Sequence, residues 1–187
     1  MISGKTRLIG VIGWPVGHSL SPFMQNAAFQ ALGLDYAYVP LPVAPQDLRQ
    51  AVDGLKAVNF AGFNVTVPHK VNIMQFLDEV DVTAVTIGAI NTVVVAQGRT
   101  TGYNTDAAGF VNSLNACGIA VAGKKAVLLG AGGAARAVAC GLLQNGAAEV
   151  VIGARDRSKT VGLAQDFAGA YPVCGCGLTD DRFSEAL

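Results

Sequence analysis

The stretch KAVLLGAGGAARAVACGLLQ, residues 125–144, decides the fold of the second half of this chain. The run Lys125 to Leu129 has the apolar pattern of a buried strand, and a helical pattern extends from the glycines to Gln144. Between them lies Gly130-Ala131-Gly132-Gly133, a turn whose glycines let the backbone approach a pyrophosphate closely. The helix that follows offers free N–H groups and a positive dipole end. A glycine-rich turn can also exist without a ligand, but strand and helix on either side favour nucleotide binding.

The pattern continues downstream in the order of a parallel sheet. Val150 to Ile152 is predicted to be a second strand, Ser158 to Phe167 a second helix, and Tyr171 to Cys174 the start of a third strand. This βαβ order predicts a Rossmann-like, doubly wound parallel sheet. A complete dinucleotide fold uses about six strands, so we expect this one to be incomplete.

The end of the second predicted strand indicates which dinucleotide is bound. NAD-binding folds place an acid there for the ribose 2′-hydroxyl, whereas NADP needs a cation for the 2′-phosphate. Here the strand ends at Ala154 without an acid, and three cations follow: Arg155, Arg157 and Lys159. These residues favour NADP, although they also fit an ordinary charged loop. Asp156 would repel the phosphate if its side chain faced inward.

The first half has alternating strand and helix patterns of its own. Strands are predicted at 8–12, 36–39, 60–65, 91–95 and 100–103, and helices at 22–32, 45–58 and near 71–87. A helix is predicted from Ala107 to Cys117. The sequence therefore predicts two α/β domains, residues 1–103 and residues 104–187.

Polar residues of the first half gather at the ends of predicted elements. The clusters are Ser19-Leu20-Ser21-Pro22, Asn64-Val65-Thr66 with Lys70, and Gly88 to Thr92 paired with Gly102 to Asp106. Two hydroxyls just before a helix can both point at one carboxylate, although helix capping would use the same residues. A lysine and an aspartate at element ends, in a region poor in charge, together suggest a functional role, although either residue alone is more often a surface residue.

These clusters together resemble the shikimate dehydrogenase family. Its patterns occur here in order, with similar spacing: Ser-Leu-Ser-Pro at 19–22, Asn-Val-Thr-x-Pro-x-Lys at 64–70, Gly-Ala-x-Asn-Thr at 88–92, Asn-Thr-Asp at 104–106 and Gly-Ala-Gly-Gly-Ala at 130–134. The resemblance covers essentially the whole chain. It implies a substrate domain followed by an NADP-binding domain, and members of the family are longer by roughly a third, so we expect a C-terminally truncated member.

The resemblance also implies roles for individual residues. Lys70 and Asp106 would form the catalytic pair. Substrate would be bound by Ser19, Ser21, Asn64, Thr66 and Asn91, the two serines holding its carboxylate. NADP would be bound by Gly130, Ala131, Gly132, Gly133 and Ala134 at the pyrophosphate, with Arg155 and Lys159 near the 2′-phosphate.

The implied reaction is reversible, NADP-dependent reduction of 3-dehydroshikimate to shikimate in aromatic amino-acid (chorismate) biosynthesis. Two alternatives stay open: a quinate/shikimate dehydrogenase that uses NAD or NADP, which Asp156 would permit, and a non-catalytic fragment that binds shikimate-like acids. A dehydrogenase of the methylene-tetrahydrofolate type is disfavoured by Ser19 and Ser21. We expect the chain as given to bind shikimate weakly and to turn it over poorly or not at all.

Composition limits the possible partners. Lys and Arg number 13, as do Asp and Glu, and 51% of the 187 residues are hydrophobic. A balanced charge gives no broad field to attract nucleic acid or an anionic membrane. No apolar run reaches the ~20 residues of a membrane span. The four cysteines and two histidines predict no metal site. We therefore expect a cytoplasmic enzyme, monomeric or homodimeric, with a small-molecule substrate.

Overall fold

The structure is a computed structural model that describes residues 2–187. The chain forms two compact units, one up to Asn104 and the other spanning Thr105–Leu187. The strands of the first unit are β1 (Arg7–Gly13), β2 (Tyr36–Pro42), β3 (Gly62–Val65), β4 (Glu79–Val80), β5 (Thr92–Ala96) and β6 (Arg99–Tyr103). Its α-helices are α1 (Ser21–Ala31), α2 (Leu48–Ala57) and α3 (Val82–Ile87). No helix among the described residues is long and apolar enough to cross a membrane.

The first unit is built on a six-stranded mixed sheet in the order β2-β1-β3-β5-β6-β4. Strand β1 is parallel to both β2 and β3, and β3, β5 and β6 pair in antiparallel fashion. Parallel neighbours end at the same edge of a sheet, and an antiparallel neighbour begins there. The residues that follow β1 and β3 and those that precede β5 therefore meet at one edge.

The core of this unit comes from apolar residues placed at the period of each element. Helix α2 turns Leu48, Val52 and Leu55 inward, all three buried, as its amphipathic pattern predicts. Phe63 and Ile12 on the sheet belong to the same buried cluster. Packing of this kind holds the sheet edge in place.

Two local predictions for the first unit need correction. The stretch near 71–87 is not simply helical: it forms a 3₁₀ turn at Asn72–Phe76, then β4, then α3. The predicted helix at 45–58 begins as a 3₁₀ turn, Pro45–Asp47, before α2. Short apolar runs do not distinguish a turn or a two-residue strand from a helix, because their periodicity covers too few residues.

The second unit has a three-stranded parallel sheet in the order β7-β8-β9. Its strands are β7 (Lys125–Leu129), β8 (Glu149–Ala154) and β9 (Val173–Gly177). Its helices are α4 (Asp106–Ala116), α5 (Gly133–Gln144), α6 (Arg157–Phe167) and α7 (Asp181–Ser184). The predicted βαβ order is confirmed, with α5 and α6 as the two crossovers.

Both faces of this sheet carry helices. A Cβ atom on Gly175 would overlap the backbone of Thr160 in α6, so this face of β9 lies against α6. The neighbouring residue Cys176 points to the other face, where it clusters with Phe183 of α7. Successive strand residues point to opposite faces, and the sheet is therefore covered on two sides, as expected for a doubly wound fold.

Candidate functional site

The carboxyl ends of β1 and β3 are joined by backbone hydrogen bonds. The N–H of Thr66 donates to the carbonyl of Ile12 at 2.9 Å, and the N–H of Trp14 donates to that of Val67 at 3.0 Å. A Cβ atom on Gly13 would lie 2.5 Å from Cγ2 of Thr66, so the two loops touch where only glycine fits. The loop carrying Ser19 and the loop carrying Thr66 thus leave the sheet side by side.

Ser19 and Ser21 lie at the start of α1 but do not cap it in the usual way. The residue before the helix is Leu20, and no side chain caps it. Instead, Oγ of Ser19 accepts a hydrogen bond from the N–H of Ser21 at 3.3 Å. A hydroxyl has one donor hydrogen and two lone pairs. Ser19 can therefore accept this bond and still donate to a ligand.

Tyr38 connects the serine loop to Asn64, and sequence reasoning missed it. Its hydroxyl donates to Oδ1 of Asn64 at 2.6 Å. Burial raises the pKa of Tyr38 to about 12, and a hydrogen bond with Ser21 opposes part of that shift. The sequence signal for this role is a tyrosine within an apolar strand. Such a tyrosine is buried, and a buried hydroxyl usually has a hydrogen-bond partner.

Asn64 is held on its other side as well. Its Nδ2 donates to the carbonyl of Asn91 and to Oγ1 of Thr92, both at 3.2 Å, and Oγ1 of Thr92 donates to Oδ1 of Asn91 at 2.9 Å. The amide of Asn64 has a defined orientation, with Oδ1 toward Tyr38 and Nδ2 toward Asn91 and Thr92. The network therefore fixes the orientation of this amide, whereas its position alone could be predicted from the sequence.

Lys70 is tied to the same region through its backbone. Its carbonyl accepts a hydrogen bond of 2.7 Å from the N–H of Ile90, the residue before Asn91. Asn91, 9% exposed, accepts in turn from the N–H of Val65 through its carbonyl at 2.9 Å. The structure therefore brings six of the predicted residues to one edge of the first sheet: Ser19, Ser21, Asn64, Thr66, Lys70 and Asn91.

Asp106 belongs to the second unit, whereas these six residues belong to the first. It is the first residue of α4, and its carboxylate therefore sits in the first turn of a helix. A negative charge is stabilising at that position. Its predicted role as partner of Lys70 stays a prediction.

The glycine-rich turn lines a cavity of about 450 Å³ in the second unit. The turn is anchored by the N–H of Gly130, which donates to the carbonyl of Gly153 at 2.8 Å, and Gly130 has a φ of 114°, in the range that favours glycine. Helix α5 begins directly after it, without a side-chain cap. The cavity is lined by Leu129, Gly130, Ala131, Gly132, Gly153, Ala154, Arg155, Asp156, Lys159 and Leu178. Of the predicted nucleotide residues, Gly133 and Ala134 are the first two of α5 and lie outside this lining.

The three cations after β8 differ in their surroundings. Arg157 forms an ion pair with Asp180 at 3.0 Å and is not part of the cavity lining. Lys159 lies 3.5 Å from Oδ2 of Asp156. Arg155 lines the cavity, and within residues 2–187 it has no ion pair. Arg155 is therefore the cation best placed for an anionic ligand.

Known proteins resemble this chain in both sequence and structure. Residues 11–93 match the family model of the shikimate dehydrogenase substrate binding domain. Shikimate dehydrogenase (NADP(+)) of Carboxydothermus hydrogenoformans is 55% identical over 172 residues, 92% of this chain and 61% of that protein. The crystal structure of shikimate dehydrogenase from Aquifex aeolicus has a TM-score of 0.88 at 42% identity, covering 97% of this chain and 66% of that one. Shikimate 5-dehydrogenase from Listeria monocytogenes, solved with shikimate and NAD, has a TM-score of 0.87 at 36% identity, covering 97% of this chain and 64% of that one.

The chain spans 59–61% of the length of three curated relatives that it matches, all of them shikimate dehydrogenases. The match runs through both units, because the family model lies in the first and the aligned part of the relatives covers 91–92% of this chain. On this evidence, the chain belongs to the shikimate dehydrogenase family.

Proposed function

We propose that this chain takes part in the reversible, NADP-dependent reduction of 3-dehydroshikimate to shikimate, a step of aromatic amino-acid (chorismate) biosynthesis. The observation that carries the proposal is the set of polar side chains at one edge of the first sheet. Hydroxyls and amides converge there with a lysine, which suits a small polyhydroxylated acid. The Carboxydothermus relative is named shikimate dehydrogenase (NADP(+)), which supports the proposed substrate and cofactor. We propose the cytoplasm as its location and a monomer or homodimer as its state.

In this proposal, Ser19 and Ser21 hold the substrate carboxylate by donating their hydroxyl hydrogens. Hydrogen bonds to a charged acceptor are about twice as strong as neutral ones. The ring hydroxyls would contact Asn64, Thr66 and Asn91. Hydrogen bonds from Tyr38 and Thr92 set the orientations of the two asparagines. Because the bound substrate is already held in position, less translational and rotational entropy remains to be lost on the way to the transition state.

Lys70 and Asp106 form the proposed catalytic pair. When the substrate carbonyl is reduced, its oxygen gains negative charge, and the ammonium of Lys70 stabilises that charge and supplies the proton. Asp106 orients the hydroxyl and the amine. In the oxidation direction, the same lysine takes the proton back, because a reversible reaction follows one path both ways.

The second unit fits NADP at the cavity beside the glycine turn. The bound cofactor would supply or accept the hydride. Gly130, Ala131 and Gly132 offer close backbone approach for the pyrophosphate, and the uncapped N-terminus of α5 favours its negative charge. Gly133 and Ala134 supply the first N–H groups of that helix. Arg155 and Lys159 line the same cavity, where a 2′-phosphate needs a cation.

A spectrophotometric assay tests this proposal. Shikimate and NADP⁺ are added to the purified chain and, separately, to a version extended to the length of its relatives. NADPH formation is followed at 340 nm, and quinate and NAD⁺ are tested in parallel. Shikimate-dependent NADPH formation is expected in a chain extended to the length of its relatives. Binding of shikimate without turnover even in the extended chain would instead favour the non-catalytic reading.

A second candidate is a quinate/shikimate dehydrogenase that uses either cofactor. The specific observation in its favour is Asp156, which lines the cavity beside Arg155. The Listeria relative was solved with NAD, so the fold accepts that cofactor in at least one member. Comparable kcat/KM values for quinate and shikimate would decide for this candidate.

Replacing Ser19 or Ser21 by alanine is expected to raise KM for shikimate far more than KM for NADP⁺. Each change removes a hydrogen bond to a charged group, which contributes about 1.5–3 kcal/mol. Steady-state kinetics with each substrate varied in turn measures the change in KM for shikimate and the change in KM for NADP⁺. Ser3→Ala, at an exposed position, is the control. If both variants chiefly lower Tm and leave KM unchanged, the serines serve only the local structure of α1.

Replacing Tyr38 by phenylalanine is expected to raise KM for shikimate between about twofold and tenfold, as befits one neutral hydrogen bond. The change removes the donor that fixes Oδ1 of Asn64 and keeps the aromatic ring. The matched control is Tyr36→Phe, two residues earlier in β2. The Tyr36 hydroxyl accepts a hydrogen bond from Arg7 at 3.0 Å and has no other hydrogen-bond partner among residues 2–187. Equal effects of the two variants, or equal changes in KM for shikimate and NADP⁺, would show that Tyr38 does not position Asn64 for substrate.

A further inference from the structure

A buried histidine lies directly before Lys70, and the proposed mechanism does not use it. His69 is 1% exposed, whereas Val67 and Pro68, earlier in the same loop, are exposed and Lys70 is half-buried. Among residues 66–70, all of which the structure describes, His69 is the one buried residue. The histidine is therefore the anchor by which this loop is attached to the interior.

The ring of His69 connects the loop to the segment that follows β2. Its Nε2 lies 2.7 Å from the carbonyl oxygen of Val43. A carbonyl can only accept a hydrogen bond, so Nε2 carries a hydrogen and donates it. Val43 is buried too, and its own N–H donates to the carbonyl of Gly13, the last residue of β1, at 3.1 Å. Two successive hydrogen bonds thus join the loop after β3 to the ends of β2 and β1.

The main chain around His69 is hydrogen-bonded as well. Its N–H donates to the carbonyl of Thr66 at 2.9 Å, and its carbonyl accepts from the N–H of Ile73 at 3.0 Å. The next residue, Lys70, accepts from the N–H of Ile90 at 2.7 Å. The backbone of Lys70 is therefore held on both sides, and the direction in which its side chain leaves the backbone is fixed.

We propose that His69 is a positioning residue for Lys70, and that the hydrogen bond from its ring to Val43 keeps the lysine ammonium at the reacting oxygen. The inference rests on the catalytic role of Lys70 in the proposed function. The motif at 64–70 leaves the position of His69 unspecified. A buried histidine can also serve stability alone, but a displacement of about 1 Å at a catalytic group can cost about 10²-fold in rate.

Two substitutions separate the hydrogen bond from the ring. His69→Phe keeps an aromatic ring in the buried space and removes the donor to Val43. His69→Gln keeps a donor, because its amide nitrogen is the same number of bonds from Cβ as Nε2 of histidine. In a chain of the relatives' length, His69→Phe is expected to lower kcat for shikimate oxidation by about 10–10²-fold, with much smaller changes in KM for shikimate and NADP⁺. His69→Gln should recover most of the lost kcat.

The matched control is Val95→Ala, which weakens the core of the same unit without removing a bond of the loop. Val95 is buried near the end of β5 that is remote from Asn91. Its truncation leaves a cavity, so it should lower Tm and leave kcat unchanged. Thermal melts of all variants show how far each loss of kcat follows a loss of stability. Should His69→Phe fail to fold by circular dichroism, His69→Asn, whose shorter amide does not reach Val43, takes its place.

The outcomes distinguish this inference from the proposed function. A kcat for His69→Phe equal to that of the parent, while Lys70→Ala loses activity, overturns the role of His69 and leaves the function standing. Equal losses in His69→Gln and His69→Phe, or a comparable loss in Val95→Ala, also overturn it, since the donor would then not be the cause. If Lys70→Ala keeps its activity, the catalytic role of Lys70 fails, and this inference fails with it.

Discussion

Replacing Lys70 by alanine is expected to lower kcat for shikimate oxidation by about 10²–10⁴-fold, the usual contribution of a general acid or base. The lysine follows β3 at the sheet edge where Asn64 and Asn91 are hydrogen-bonded to each other. In the proposed mechanism, its removal takes away the proton donor and the positive charge beside the reacting oxygen. The measurement is NADPH formation at 340 nm in a chain of the relatives' length, with a thermal melt to check folding.

Lys5→Ala is the control for this variant, because Lys5 is an exposed lysine of the same unit. It should leave kcat and KM unchanged. A loss of less than about tenfold in Lys70→Ala would mean that Lys70 is not the general acid. KM for shikimate should change less than kcat, since the carboxylate and ring anchors are still present.

Replacing Gly175 by alanine is expected to destabilise the second unit by about 3 kcal/mol, the upper part of the range for overpacking a core. A Cβ atom at this position of β9 would overlap the backbone carbonyl of Thr160 in α6. A backbone atom cannot move aside as a flexible side chain can. Thr160 is itself fixed, because it is fully buried and its hydroxyl lies 2.9 Å from the carbonyl oxygen of Cys176.

Thermal unfolding measures this effect, and a fall in Tm of roughly 10 °C or more is expected for a unit of this size. The matched control is Gly162→Ala, in α6 itself, where an added Cβ meets no atom within 4 Å. An alanine in a helix interior is favoured over glycine by up to about 1 kcal/mol, so this control should stabilise slightly. Equal stability of Gly175→Ala and the parent would show that α6 can shift away from β9.

Much of the fold could be predicted because its signals are local. Strand β7 and helix α5 occupy the predicted residues around the glycine turn. The strands predicted at 91–95 and 100–103 form β5 and β6, which are joined at Gln97-Gly98, where both residues have positive φ. The stretch from Asn72 to Ile87 could not be predicted, since its short elements are selected by pairing with distant residues. Strand β4, for example, exists because Glu79 pairs with Thr101.

The sequence by itself determined the order of elements, the family and the positions of the polar loops, because apolar period, glycines and short motifs are properties of neighbouring residues. Only the tertiary structure decided how those loops are held together. The bond from Tyr38 to Asn64 joins residues 26 positions apart, and it depends on the parallel pairing of β1 with both β2 and β3. The structure also decided the direction of Asp156, which the sequence left open between facing the phosphate and facing solvent. Its carboxylate turns to the N–H groups of α6, because an uncapped helix end is a nearby set of donors that a short acidic side chain can reach.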